Sequence, residues 1–288
     1  MTYKIIFILA GVLFFLGLDP AEAMAWGPGV HLNTANHILA NLKLISPAIA
    51  EIISAYRESF RYGCLSADIY MGKGKKLHSG HCHNWGTGFR LLENNQDPAI
   101  QSYAYGYLSH LAADTIAHNY YVPNTLNIFP SGGKISHVYI ELQADRHITG
   151  LNAQACSIMG RKNKQADKIL RLALKKPKLP FVLKKQLYQK GIAFSTLHGW
   201  ELSLRLLNRA LPVGRLEYLN HMVDLSRIAV TDLLRDPDNA NCLDFDPMGF
   251  TNLKIAKDLK QKKIAANKFQ EYLFHPDPKF SELSISSN

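Results

Sequence analysis

The chain has 288 residues, of which 47% are hydrophobic and 19% charged. That much apolar material excludes intrinsic disorder and allows one large core or two small ones. Thirty-three Lys and Arg against 23 Asp and Glu give a formal charge of +10 at pH 7, which favours anionic partners, lipid surface or nucleic acid, without choosing between them.

The chain opens as an address label. Lys4 precedes the apolar run Ile5 to Leu18, too short to span a bilayer comfortably, and the small-residue signals Ala21-Glu22-Ala23 and Ala23-Met24-Ala25 follow it. Residues 1–25 are expected to be a secretory signal peptide, with 26–288 exported to a periplasm or secreted; an uncleaved anchor is the alternative. Cutting after Ala25 makes Trp26 the first residue, whereas cutting after Ala23 leaves Met24-Ala25 in front of it. Cys64, Cys82, Cys156 and Cys242 show no Cys-x-x-Cys spacing. In an oxidising compartment they allow three complete pairings, and buried thiols fit equally well.

Beyond residue 26 the pattern is helical. Ser46-Pro47 and Asp97-Pro98 each place a capping side chain before a Pro at the first helical position. Apolar spacing of three and four runs through 163–175, 180–210, 213–235 and 251–272. Loops are expected at 71–82, 122–134 and 235–250, and no repeat, phosphate loop or nucleophile elbow interrupts the pattern. The expectation is an all-α, single multi-helix domain, with a His-rich half at 26–150 and a basic half at 151–288.

Nine of the twelve His lie between His31 and His147. His110, Asp114 and His118 follow at steps of four, which puts them within roughly 80° on one helix face. Their neighbours are mostly apolar, and a buried carboxylate between imidazoles is costly unless a cation compensates it. His137 and Glu141 form a second pair one turn apart. Either pair alone reads first as a surface ion pair or a satisfied core His; together, in a His-rich segment, they point to metal. Asp68 and His83 stand upstream, and Trp26-x4-His31 would set a free mature amine near an imidazole. A deprotonated α-amino group is itself a nitrogen ligand.

The ordered set Trp26, His31, Asp68, His83, His110, Asp114, His118, His137 and Glu141 resembles the zinc-dependent phospholipase C superfamily. That superfamily also holds single-strand-specific zinc nucleases and the catalytic domain of glycosylphosphatidylinositol-specific phospholipase D. The resemblance covers roughly residues 26–150 and implies three zinc ions per chain. Asp68, His83, His110 and Asp114 would hold the first, and His118, His137 and Glu141 the second. The amine and carbonyl of Trp26 with His31 would hold the third, Asp114 bridging it to the first. It further implies that a water between zincs attacks phosphorus while the third zinc stabilises the leaving oxygen. Zinc lowers the pKa of bound water to about 7, and Asp68 is the candidate catalytic residue to orient or deprotonate it.

The pattern departs from the family in places. His110-x3-Asp114-x3-His118 is tighter than the His-x3-Asp-x5-His of bacterial phospholipases and nucleases, and is more like the phospholipase D branch. Glu141 is as in bacterial phospholipase C, whereas the Trp26–His31 and Asp68–His83 spacings are closer to the nucleases. The expected function is therefore an exported zinc-dependent phosphodiester hydrolase acting on phospholipid headgroups, with peripheral contact to an anionic membrane surface. The alternatives are a nuclease acting on single-stranded nucleic acid and a non-catalytic zinc-binding protein.

Other residues have plainer readings. His37 is expected on a helix surface, His147 in solvent, and His78 and His81 in a loop or orienting zinc ligands. The basic stretch Arg161 to Lys190 reads as a solvated charged face with its Leu and Phe in the core, anionic lipid being the alternative. Asp244 and Asp246 read as a turn.

Overall fold

Pro, Gly and capping side chains punctuate the chain into helices. A computed structural model describes residues 26–70, 81–93, 95–128, 134–148, 150–266 and 272–280, and their side chains except at 134–137 and 260–266. The first part holds α1 (Pro28–Ala40), α2 (Pro47–Ala55), α3 (Arg57–Ser66), α4 (Trp85–Glu93) and α5 (Pro98–Ile116). A π turn, Ala117–Tyr121, joins α5 to α6 (Val122–Ile128), and α7 (Lys134–His147) follows. The second part holds α8 (Leu151–Gly160), α9 (Lys164–Ala173), α10 (Lys178–Ser195), α11 (His198–Ala210), α12 (Leu216–Arg235) and α13 (Phe250–Ala266). There is no strand among the described residues, so the fold is all-α.

Several boundaries differ from the pattern reading. The apolar run 180–210 breaks at Thr196-Leu197 into α10 and α11, and Tyr56 separates α2 from α3. The segment 122–134 is not wholly a loop, because Val122–Ile128 is helical. Pro123 does not break it, because it is the second residue of α6, in a first turn where a missing N–H is tolerated. The 235–250 connection contains a short 3-10 turn, Asn241–Asp244. The basic half gives a larger correction: Leu170, Leu174 and Phe181 are core, but Leu172, Leu179, Leu183 and Leu187 are exposed. The signal segment and His78 lie outside the described residues. Among the described residues no helix is long and apolar enough to cross a membrane. All four cysteines are free thiols, three of them buried.

Helix α5 is the central element. Asp97 caps it by accepting the Ala99 N–H at 2.9 Å, and Pro98 sets its first turn. It is apolar on nearly every side, as a helix enclosed by others must be, and it packs against α1, α2, α3, α4 and α12. Its closest neighbour is α3. A Cβ on Gly106 would lie 2.1 Å from the Phe60 carbonyl oxygen, and one on Gly63 would lie 2.1 Å from that of Tyr103. Only two glycines let these backbones touch. The contact brings the Cys64 carbonyl within 2.9 Å of His110 Nδ1.

Gly106→Ala must push the helices apart, and is expected to destabilise the protein by about 3 kcal/mol in urea unfolding, in the range of core overpacking. An unchanged midpoint would contradict this crossing.

Candidate metal centre

Three elements converge on α5. His31 comes from α1, Asp68 from the 3-10 turn Ala67–Tyr70 that ends α3, His83 from the connection before α4, and His110 and Asp114 from α5 itself. All five are buried.

Asp68 Oδ1, His83 Nε2, His110 Nε2 and Asp114 Oδ2 define five edges of a tetrahedron. His83 lies 3.0 Å from His110, 3.2 Å from Asp68 and 3.3 Å from Asp114, while His110 lies 3.1 Å from Asp114 and 3.6 Å from Asp68. A tetrahedral zinc with bonds near 2.1 Å separates its ligand atoms by about 3.4 Å. The donor set and its spacing therefore fit a zinc ion. On the other side of Asp114, Oδ1 faces His31 Nε2 at 3.3 Å, and the His31 ring stacks on His110 at 3.8 Å.

Hydrogen bonding fits the same ion. His110 Nδ1 faces the Cys64 carbonyl, which only accepts, so the Nδ1 proton is used there and Nε2 is left for the centre. The Cys82 thiol donates to the Tyr70 carbonyl at 3.1 Å, leaving its sulfur to accept from His83 Nδ1 at 3.2 Å. Both Nε2 atoms thus face inward, toward carboxylate oxygens. His31 Nε2, Asp68 Oδ1 and both Asp114 oxygens are buried without a hydrogen-bond partner. Orphaned buried atoms of this kind are rare and costly without a ligand.

The remaining candidate residues lie alongside. His118 is buried in the π turn, a widening often found at functional sites. Gly249, at φ +55°, sits against it; a Cβ there would lie 2.2 Å from the His118 carbonyl oxygen. Burial holds the His118 imidazole down at about 4, so it is neutral and competent to bind metal at pH 7. Glu141, in α7, is buried, and burial plus the carboxylates of Asp68, Asp114 and Asp145 push its pKa far up. His137 occupies the same helix one turn earlier; its side chain is outside the described ones. Trp26 is fully buried, its Nε1 donating to Ser226 Oγ at 3.0 Å and its ring stacked on Tyr121 at 4.7 Å.

Three supporting residues escaped the sequence reading. Asp145 accepts the Val30 N–H at 2.9 Å, tying α7 to the first turn of α1, just before His31. Its signal was present, since it extends the four-residue step from His137 and Glu141. Tyr188 of α10 donates to Asp68 Oδ2 at 3.4 Å, and burial pushes its pKa well up, so the hydroxyl stays a donor. Cys82 left no signal. His81, in the connection before α4, accepts the His83 N–H on Nδ1 at 3.1 Å. His37 is half-buried and His147 exposed.

A family model described as zinc dependent phospholipase C matches residues 30–183, just over half of the chain. The chain belongs to the zinc-dependent phospholipase C family. No curated protein and no solved structure is matched by it.

The cluster also dictates a pH response. Burial would lower His83 and His110, but the neighbouring groups, Asp114 and Asp68 among them, outweigh it and raise both above the usual 6.5. Glu141 is raised too. His31 and His118 are lowered and oppose this only while the unfolded imidazoles still titrate. Once those are neutral, the raised groups make the metal-free fold bind more protons than the unfolded chain, and its stability falls as pH rises further. Metal binding expels those protons, so zinc stabilises more at high pH. The chelated protein is expected to melt at a lower temperature at pH 8.5 than at pH 7.5, with a larger zinc-induced rise at pH 8.5. A zinc-induced rise that shrinks with pH would contradict the assignment.

Proposed function

We propose that this protein is an exported phosphodiester hydrolase of the phospholipase C type that cleaves phospholipid headgroups. The observation that carries the reading is Asp114. Its two unpartnered oxygens face His31 on one side and His83 and His110 on the other, as a carboxylate shared between two cations requires.

In this reading Asp68, His83, His110 and Asp114 would hold one zinc, and His118, His137 and Glu141 a second. The amine and carbonyl of Trp26 with His31 would hold a third, Asp114 being shared with the first. Zinc there supplies Lewis acidity toward a phosphodiester and a water acidic enough to ionise near neutral pH.

The chain's own groups do the positioning. Cys64 and Cys82 fix the His110 and His83 rings so that both Nε2 atoms face the centre. Tyr188 donates to Asp68 Oδ2 and so turns Oδ1 into the centre, where it would be a zinc ligand. Asp145 holds the first turn of α1, and the Trp26 indole is pinned between the π turn and α12. Cleavage after Ala25 would make the Trp26 amine available, so the reading includes export.

The test gives the exported chain, expected by N-terminal sequencing to begin at Trp26, phosphatidylcholine vesicles together with single-stranded DNA. Products are read by mass spectrometry with and without chelator. Diacylglycerol that disappears on chelation supports the reading; phosphatidic acid would move it to D-type cleavage, and nucleotides to the nuclease branch. Asp114→Asn is expected to lose more than about 100-fold in activity, beyond the loss of a merely supporting partner, and to lower the zinc content. Full activity at unchanged zinc content would refute the sharing.

A further inference from the structure

The whole net charge of the protein resides in one segment. Arg161 to Lys190 contains eleven Lys and Arg and one acid, Asp167, a net +10, leaving 22 basic and 22 acidic residues elsewhere. From Lys168 to Trp200 there is no acidic residue. The centre of this segment is α10, whose two faces are both apolar.

On the inner face Phe181, Tyr188 and Ile192 are buried, and Tyr188 reaches Asp68. On the outer face Leu179 is 69% exposed, Leu183 56%, Leu187 40% and Val182 39%. At 100° per residue these four span about 140° of the helix surface, opposite the buried three. Leu172 of the preceding helix is 55% exposed as well. An uncovered aliphatic stripe in a lysine-rich, acid-free helix is the form of an interfacial membrane helix.

The geometry points to α10 as the element that docks the protein on an anionic phospholipid surface, its Leu179–Leu187 stripe entering the interface and the lysines of 168–190 meeting the headgroups. Charge selects this occupant. A second copy would bring two +10 segments face to face, and a nucleic acid strand would be met by aromatic side chains rather than by leucines. Anionic lipid satisfies both features, since each basic residue near its surface adds electrostatic attraction. The same helix positions Tyr188 on Asp68, so docking and the metal centre share one rigid element. The inference rests on the lipid-substrate reading for its biological sense, but not for its physical argument.

The test uses the mature zinc-loaded protein and co-sedimentation with vesicles of phosphatidylcholine, alone or with about 30% phosphatidylglycerol. Hydrolysis of a short-chain, monomeric phosphatidylcholine is measured in parallel. Wild type is expected to prefer the anionic vesicles, with binding that weakens as salt rises. The triple variant Leu179→Ser, Leu183→Ser, Leu187→Ser is expected to bind them roughly 100-fold more weakly, since three exposed aliphatic side chains lose their burial. Its turnover of the monomeric substrate should be unchanged. Lys168→Gln with Lys175→Gln and Lys178→Gln should weaken anionic binding while leaving the weak binding to neutral vesicles.

Equal binding by wild type and the leucine variant would overturn the proposal. So would binding to a single-stranded oligonucleotide but not to vesicles, or a dimer that the leucine variant dissolves. Docking through the stripe without any lipid hydrolysis would uphold this inference and sink the substrate reading instead.

Discussion

The structure depends on one electrostatic requirement: Asp68 and Asp114 are buried against the imidazoles of His31, His83 and His110, and Glu141 is buried within the field of both carboxylates. Carboxylates in that setting are stable only if protonated, paired with imidazolium or bound to cations. His83 and His110 hold the inner pair down in the metal-free protein, while burial leaves Glu141 and Asp145 raised, Asp145 to about 6. Divalent ions meet the requirement of the whole cluster at once, and five interatomic distances of 3.0–3.6 Å match the edges of one zinc cage.

The scaffold holds these groups where relaxation is hard. The Gly63–Gly106 contact lets α3 touch α5, which puts the Cys64 carbonyl on His110 and carries Asp68 from the end of α3 into the centre. The π turn is held from outside: Asn119 donates to the Asp246 carbonyl and Asn252 to the Asn119 carbonyl, at 2.9 and 2.8 Å. The 246–252 segment thereby fixes the backbone that carries His118. Elements from both halves of the chain thus build the centre, since α10 supplies Tyr188 and α12 supplies Ser226 for the Trp26 indole.

Legibility in the sequence followed locality. The helical class, the Asp97-Pro98 start and the shared face of His110 and Asp114 were readable, because each depends on residues a turn or less apart. Asp68 and His83 stood out as residues, but their place beside His110 and Asp114 came only through family resemblance, since a helical crossing rather than spacing brings them together. Tyr188 was hidden for the same reason, 120 residues from the carboxylate it contacts. The exposed leucines of α10 were misread because periodicity of three and four marks an apolar face without telling which way it points. With Phe181, Tyr188 and Ile192 on one side and Leu179, Leu183 and Leu187 on the other, only packing could decide.

The most direct test of the central claim is an anomalous difference map collected at the zinc edge from crystals of protein purified without chelator. The account predicts a peak enclosed by Asp68 Oδ1, His83 Nε2, His110 Nε2 and Asp114 Oδ2. Crystals of active protein with no anomalous peak among those four atoms would contradict it.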